Sequence, residues 1–327
     1  MNARRATTEL QYPTLLRREL EATQTLLVSA CGGIPLPVRS AVERLVNRGG
    51  KRLRPAVVLL IAHLTQADLE VALLAAAGVE MLHTATLIHD DVIDNALVRR
   101  GVPTLNAQLP LTAAVLAGDI AFSQAARLIA RTGIPPVVEH FSATLETICL
   151  GELDQMFRDD GCLLSQEAYF ERIFAKTASL FALCAQIGPL LVQAPPEDIE
   201  GAEQFGRLLG EAFQITDDVL DLLGDSQTTG KPVGVDLRQG LATLPVILYA
   251  EDHPDDPRLS EVLGGTAEEP EIRRLLADLV ESGATDRAMR AAQARAAEAL
   301  TLLQAYPRST HRCALEELVQ FAVDRIS

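Results

Sequence analysis

The sequence contains no tryptophan, and aromatic residues make up only 4% of its 327 positions. Ala and Leu dominate a hydrophobic fraction of 48%, so the balance favours helix over sheet. The five cysteines, Cys31, Cys149, Cys162, Cys184 and Cys313, are odd in number, widely spaced and without a CxxC pair. That pattern argues against a disulfide or zinc framework and fits reduced thiols filling core space. The N-terminal stretch MNARRATTELQYP has no apolar signal core. Uninterrupted apolar runs such as PAVVLLIA are too short to span a bilayer. The expectation is a cytoplasmic chain without a transmembrane segment. Positive charge is also scarce: 29 Lys and Arg against 44 Asp and Glu give a net charge of −15. Nucleic acid is therefore excluded as a general partner.

What is present has a helical period almost throughout. Helices are expected at roughly 8–30, 38–48, 54–65, 67–97, 111–131, 135–158, 166–193, 197–223, 241–251, 270–282, 285–305 and 309–326. Clusters of Pro and Gly punctuate them, among them Gly32-Gly33, Pro135-Pro136 and Pro254 to Pro257. No stretch alternates like a strand, and no solenoid period appears. The simplest account is one all-α domain over residues 1–327. Residues 1–10 are expected to fray, and the C-terminal helices of 257–327 to pack on the side of the bundle.

The chain carries one acidic pattern twice. Asp90, Asp91 and Asp94 lie in LIHDDVIDNALVRRG, and Asp217, Asp218 and Asp221 lie in FQITDDVLDLLGD. On a helix, positions i and i+4 share a face, about 6 Å apart along the axis. Carboxylates so grouped repel, and a proton or a cation must relieve that. Hard oxygen donors suit Mg²⁺ or Mn²⁺, which complete their shells with water and phosphate. The doublets Asp159-Asp160 and Asp255-Asp256 serve as controls: their contexts are polar or turn-like, and they read as surface. Two such patterns inside apolar helices instead suggest two walls of one metal-bearing site.

The basic residues cluster in glycine-punctuated segments. Lys51 and Arg54 of GGKRLRP open a helix, where backbone amides also favour an anion. Arg99 and Arg100 follow the first acidic pattern closely. Lys176 stands in apolar FAKTASL, where an unpaired ammonium is costly, and Lys231 lies in the loop TTGKPVG. His83 falls on nearly the same helix face as Asp90, two turns earlier, whereas His89 faces elsewhere and reads as structural. Carboxylates and cations together point to metal ions plus two polyanions, with diphosphates the best fit. No Ser-His-Asp or Cys-His constellation stands out.

These motifs, in this order, resemble the trans-polyprenyl diphosphate synthase family, and medium- and long-chain bacterial members in particular. GGKRLRP, EMLHTATLIHDDVIDNALVRRGVPTLN, GELDQ, KTASLF, FQITDDVLDLLGD and TGKPVGVDLRQGLATLPVI carry the resemblance, strongest from Gly49 to Tyr249. It implies the isoprenoid synthase helical bundle around a deep central cavity. It implies two to three Mg²⁺ ions, replaceable by Mn²⁺, at Asp90, Asp94, Asp217, Asp218 and Asp221, with Asp91 in support. Arg99, Lys176, Gln214 and Lys231 would hold the allylic prenyl diphosphate. Lys51, Arg54, His83 and Arg100 would hold isopentenyl diphosphate, with Thr177 near the reacting carbons. It further implies a homodimer, with a small second subunit as an alternative.

Helix geometry places Ala85 about 7.5 Å along the axis from Asp90. Ala85 and Thr86 are small where short-chain members often carry aromatics. A hexa- to decaprenyl product is therefore expected from a farnesyl or geranylgeranyl primer. Phe122 is a candidate plug deeper down, which keeps a geranylgeranyl or farnesyl diphosphate synthase as the alternative. A non-catalytic subunit would show eroded motifs, whereas these are complete. A terpene cyclase would carry an Asn/Ser/Glu motif in the second position, and a phosphohydrolase would need a water-activating base.

Overall fold

The computed structural model describes residues 10–48, 50–99, 101–157, 163–224 and 233–325. The apolar periodicity becomes helices α1 (Arg17–Ala30), α2 (Leu36–Asn47), α3 (Leu53–Thr65) and α4 (Leu69–Ile93). After a two-residue antiparallel pair, Val98–Arg99 with Val102–Pro103, come α5 (Leu111–Ala130), α6 (Pro135–Phe157), α7 (Gln166–Leu191) and α8 (Pro196–Leu223). The C-terminal part adds α9 (Leu244–Asp252), α10 (Glu269–Glu281), α11 (Ala284–Leu302) and α12 (Thr310–Asp324).

The innermost helices are buried nearly all round, which requires sequences apolar on every face. Residues 56–62 of α3 are fully buried, and every residue from Ser179 to Leu190 in α7 is buried. Around them, α4 packs on α3 and α5, α7 packs on α3, α6 and α8, and α11 covers α8. α12 closes the bundle against α3, α8 and α11. Buried apolar residues from Tyr12 to Val323 form one connected core.

Small residues set how closely these helices approach. A Cβ on Gly206 of α8 would lie 2.3 Å from the Phe181 carbonyl oxygen, and one on Gly210 would lie 2.5 Å from Ala178 Cα. Gly118 of α5 receives the ring of His89 from α4, whose Nε2 lies 3.2 Å from the Val115 carbonyl.

The structure departs from the sequence expectations at several places. The expected helix at 8–30 breaks at Leu16, leaving a single turn, Tyr12–Leu15, before α1. The expected helix at 67–97 stops at Ile93, because Asn95 adopts φ +50°. Gly101, at φ +73°, lies between the two short strands that follow. The Pro254 to Pro257 segment is more than punctuation, since Pro257 opens a short helix, Pro257–Leu263. Asp256 is its N-cap and is not a solvated surface residue. It accepts from the Arg258 backbone at 3.0 Å, Arg258 Nη2 at 2.6 Å and the Tyr249 hydroxyl at 2.9 Å. Those donors, Arg258 foremost, hold its carboxyl down at about 2. Asp159, Asp160 and Cys162 lie outside the described residues.

The run-length reading of membrane spans also needs correction. Three helices, Leu69–Ile93, Leu111–Ala130 and Gln166–Leu191, are long and apolar enough to cross a membrane by length and composition. Isolated polar residues interrupt each of them, so no uninterrupted apolar run spans a whole helix. In α4 and α7 the apolar windows are 67% and 83% buried inside the bundle, so there the apolarity serves the core. In α5 only 39% is buried, which leaves Leu111, Val115 and Leu116 exposed.

Two glycines of α8 are expected to respond oppositely to alanine. Gly206→Ala forces the α7 backbone away and should cost about 1–3 kcal/mol. Gly201→Ala meets nothing within 4 Å and should gain up to about 1 kcal/mol from helix propensity. Urea denaturation of the two variants tests the close approach, and equal effects would refute it.

Candidate active site

Both acidic patterns occupy the last turns of their helices, α4 ending at Ile93 and α8 at Leu223. A helix C-terminus carries partial negative charge, so carboxylates there are doubly disfavoured. At the end of α4 the three aspartates diverge. Asp91 is 1% exposed, and its Oδ1 accepts from Arg99 Nε at 2.6 Å. Its Oδ2 is buried without a hydrogen-bond partner among the described residues. Burial raises the Asp91 carboxyl despite Arg99. Asp94 caps the helix and is exposed. Asp90 lies between, its carboxyl pushed up to about 6, first by burial, with Lys176 and Arg99 opposing and Glu152 and Asp94 adding.

Lys176 sits opposite, on a helix with a defect. In α7 the residues Phe174–Ala178 form a π turn. Such a turn inserts one residue and is frequent at functional sites. Two glycines clasp it: a Cβ on Gly151 of α6 would lie 2.4 Å from Ala175 Cβ, and Gly210 of α8 abuts Ala178. The contact at Gly151 also brings Glu152 within 3.2 Å of Lys176 Nζ. The ammonium is thus paired, and at 41% side-chain exposure it is not the apolar-buried cation expected from FAKTASL.

The second wall distributes its carboxylates in the same way. Asp218 is 3% exposed and receives the Tyr169 hydroxyl at 2.7 Å and Gln214 Nε2 at 2.8 Å. Gln214 Oε1 in turn accepts from the Thr177 hydroxyl at 2.8 Å. Burial lifts the Asp218 carboxyl to about 7 against the pull of Tyr169 and Gln214. Asp221 accepts the backbone N–H groups of Val235 at 3.2 Å and Asp236 at 3.1 Å, fixing the single turn Val235–Arg238. Asp217 is 42% exposed and pairs with Arg325 at 2.6 Å. Asp236 joins this wall, its carboxyl raised to about 6 by burial and then by Asp221, with Arg172 and Lys176 opposing. Lys176 therefore bears electrostatically on both walls, on Asp90 and on Asp236.

Among the described residues, no three His, Cys, Asp or Glu side chains converge to hold a metal unaided. The donor set nonetheless fits a hard divalent cation. Single carboxylates on facing helix ends leave most coordination positions to phosphate oxygens and water, which is how Mg²⁺ is commonly held.

Beside the first wall opens a cavity of about 530 Å³. Lys51, Arg54, His83, Arg99 and Arg325 line it, and Glu80 is the one carboxylate among its lining residues. Glu80 is neutralised by Arg52, which also donates to Gln24 and to the Val46 carbonyl. Arg52 can do this because it adopts φ +50° ahead of α3. Lys51 lies 3.7 Å above the Phe321 ring, and burial and then Arg325 lower its ammonium. Arg54 stacks 4.7 Å from the Phe181 ring centroid. Arg100 and Lys231 fall outside the described residues.

The expected cavity residues thus come together, and so do some that sequence reading missed. Glu152 and Asp236 lay inside quoted motifs, GELDQ and GVDLRQG, without a role. Tyr169, Arg172 and Arg325 carried no local signal. Of the three residues read for product length, Ala85 is 1% exposed. It lies between Gly78 and His89 on the α4 face that meets α5. Phe122 of α5 is partly buried against the core. Thr86 is half-buried, four residues before Asp90, and its hydroxyl donates to the His83 carbonyl at 2.9 Å.

The family described as Polyprenyl synthetase matches residues 37–279. The nonaprenyl diphosphate synthase of Mycobacterium tuberculosis is 38% identical over 285 residues, covering 86% of this chain and 84% of its own length. The octaprenyl diphosphate synthase of Escherichia coli is 35% identical over 285 residues, covering 86% and 88%. Among solved structures, a polyprenyl synthase from Caulobacter crescentus complexed with calcium and isoprenyl diphosphate superposes with a TM-score of 0.91 at 33% identity. That match covers 99% of this chain and 100% of the other.

The Arg99–Asp91 pair predicts a stability effect separate from any ligand. Arg99→Gln leaves a buried carboxylate without its charged donor and should destabilise the ligand-free protein by about 1–3 kcal/mol. Urea melts without substrate or metal measure this. An unchanged midpoint would mean that Arg99 is not committed to Asp91.

Proposed function

Because the chain belongs to the polyprenyl synthetase family, we propose that it adds isopentenyl diphosphate head-to-tail to an allylic prenyl diphosphate. The reading takes the chain as one catalytic domain and its product as all-trans, hexa- to decaprenyl. The observation that carries it is the pair of acidic helix ends facing each other across Lys176, next to a cation-lined cavity of about 530 Å³.

Roles follow from position. Lys51, Arg54 and His83, with Arg100, hold the diphosphate of isopentenyl diphosphate in the cavity. Lys176, Arg99 and Gln214, with Lys231, hold the allylic diphosphate between the walls. Asp90, Asp94 and Asp217 would take Mg²⁺, two to three ions in all and replaceable by Mn²⁺, with Asp217 exchanging its pair with Arg325 for the ion. Asp91, Asp218 and Asp221 are tied to protein donors and set the positions of the others. When bound, Mg²⁺ supplies charge neutralisation for the departing pyrophosphate. Lys176 and Arg99 add fixed positive charge at the same place. The allylic C–O bond breaks with its electron pair leaving on pyrophosphate. The isopentenyl double bond attacks the allylic cation, and loss of a proton restores an alkene. Pyrophosphate takes that proton, so no protein nucleophile is needed.

Product length rests on α4. Both relatives named above carry long-chain products in their names, and Ala85 and Thr86 put no bulk one to two turns before Asp90. The exposed apolar face of α5, with Leu150 and Leu153 of α6, supports a homodimer, which the reading takes to work in the cytoplasm. A small second subunit on that face is the competing arrangement.

The assay is isopentenyl plus farnesyl diphosphate with Mg²⁺, followed by extraction and sizing of the product. An elongated linear diphosphate is expected. A cyclic hydrocarbon, free phosphate or no turnover would overturn the proposal. Thr86→Phe, on the Asp90 face, should shift the product to fewer isoprene units without changing Mn²⁺ binding. An unchanged chain length would remove Thr86 from the gate.

A further inference from the structure

The cavity beside the first wall carries more positive charge than the proposed roles use. Arg52 is engaged with Glu80, Arg99 with Asp91 and Arg325 with Asp217. Lys51, Arg54 and His83 are assigned to one diphosphate. Two further lining arginines, Arg44 and Arg48, have no role so far. They come from the last turn of α2 and its C-cap, four residues apart. They therefore share a face with Ala41 and Leu45, which also line the cavity. Both arginines are exposed, whereas Arg54 and His83 are half-buried. Arg44 and Arg48 thus stand at the mouth, with Arg54 and His83 farther in.

Arg44 is fixed by a neutral partner. Its Nη2 donates to Gln108 Oε1 at 2.7 Å. Gln108 Nε2 in turn donates to the Pro103 carbonyl at 2.8 Å and the Thr104 carbonyl at 3.0 Å. Both amide protons are thereby committed, so the amide oxygen has to face Arg44. An amide oxygen holds the guanidinium in place without cancelling its charge, as a carboxylate would. Glu43, the one acid of α2, pairs instead with Arg39 at 2.7 Å.

The chain as a whole repels a diphosphate. Its net charge is −15, and the two acidic helix ends add to the field near the cavity. A cleft lined by cations reverses such a field locally and raises the rate of capture. We propose that Arg44 and Arg48 form an entry subsite that captures the diphosphate of incoming isopentenyl diphosphate and passes it inward to Lys51, Arg54 and His83. The proposal rests on prenyl transfer as the function. A hexa- to decaprenyl product takes up several isopentenyl units in turn, each entering while the allylic diphosphate stays between the walls. Repeated capture therefore falls on this cavity.

The test compares kcat/KM for isopentenyl diphosphate at low and high NaCl, with farnesyl diphosphate and Mg²⁺ saturating. Arg44→Gln and Arg48→Gln should each lower it about threefold at low salt, and the double variant about tenfold. The loss should lie in KM for isopentenyl diphosphate, with kcat and KM for farnesyl diphosphate within about twofold of wild type. High salt should shrink the deficit to less than about twofold. Arg44→Lys keeps the charge and should stay within about twofold. Gln108→Ala releases the guanidinium, so in an Arg44→Gln background it should cost nothing further. Arg274→Gln with Arg290→Gln removes two charges from exposed positions on α10 and α11, outside the cavity lining, and should match wild type. Circular dichroism confirms folding of each variant.

An undiminished kcat/KM in the Arg44 and Arg48 double variant would overturn the entry subsite. So would a deficit that persists at high salt, an equal loss for farnesyl diphosphate, or an equal loss in the Arg274 and Arg290 control. A wild-type protein that makes no polyprenyl product would instead overturn the functional reading, and the subsite with it.

Discussion

Negative charge gathered at two negative helix ends is the constraint on which this structure turns. The C-terminus of a helix presents unsatisfied carbonyls equivalent to roughly half an electron charge. α4 and α8 each add three aspartates there. The fold answers with cations from everywhere else: Arg99 to Asp91, Arg325 to Asp217, and Lys176 placed to act on both walls. The answer is incomplete, since burial first, and neighbouring carboxylates after it, keep Asp90 and Asp236 raised to about 6. Carboxyls raised in this way gain most from added positive charge.

Holding such a region open requires a rigid frame, and small residues supply it. Glycines at 118, 151, 206 and 210 let helices approach until backbones or short side chains touch. The π turn of α7 then does what a regular helix cannot. Before it, Tyr169 points inward to Asp218, and after it Phe181 is fully buried. The extra residue shifts the phase so that Lys176 is exposed immediately before the continuously buried stretch that begins at Thr177. Without the extra residue, the exposed line through Glu167 and Glu171 would continue to Ala175 and leave Lys176 off it.

How much of this was readable from sequence depends on whether the signal is local. The i, i+4 spacing of Asp90 and Asp94, and of Asp217 and Asp221, is local and was legible, as was the helical period that gave the all-α class. The Lys51 and Arg54 pair was legible too, but Arg52 between them was not. Its φ of +50° turns it inward to Glu80, and no sequence rule separates it from its neighbours. Arg325 is 108 residues from Asp217, and Tyr169 is 49 residues from Asp218. Their roles arise only when α12 and α7 pack against α8. Asp256 taught the opposite lesson, because a doublet in a polar context became a cap once Tyr249 and Arg258 folded around it.

The doublet itself then acquires a geometric meaning. Successive residues on a helix point about 100° apart. In an adjacent pair of aspartates, one can face the gap while the other faces a neighbouring helix. Asp90 is half-buried toward Lys176 while Asp91 is buried on Arg99, and Asp217 is 42% exposed while Asp218 is 3% exposed on Tyr169 and Gln214. The inner member of each pair is consumed by protein donors and pins its helix end. The outer member is thereby held in a direction that its own repulsion would not choose. Two adjacent carboxylates are thus an anchor and a donor, and a single aspartate at either position could not do both.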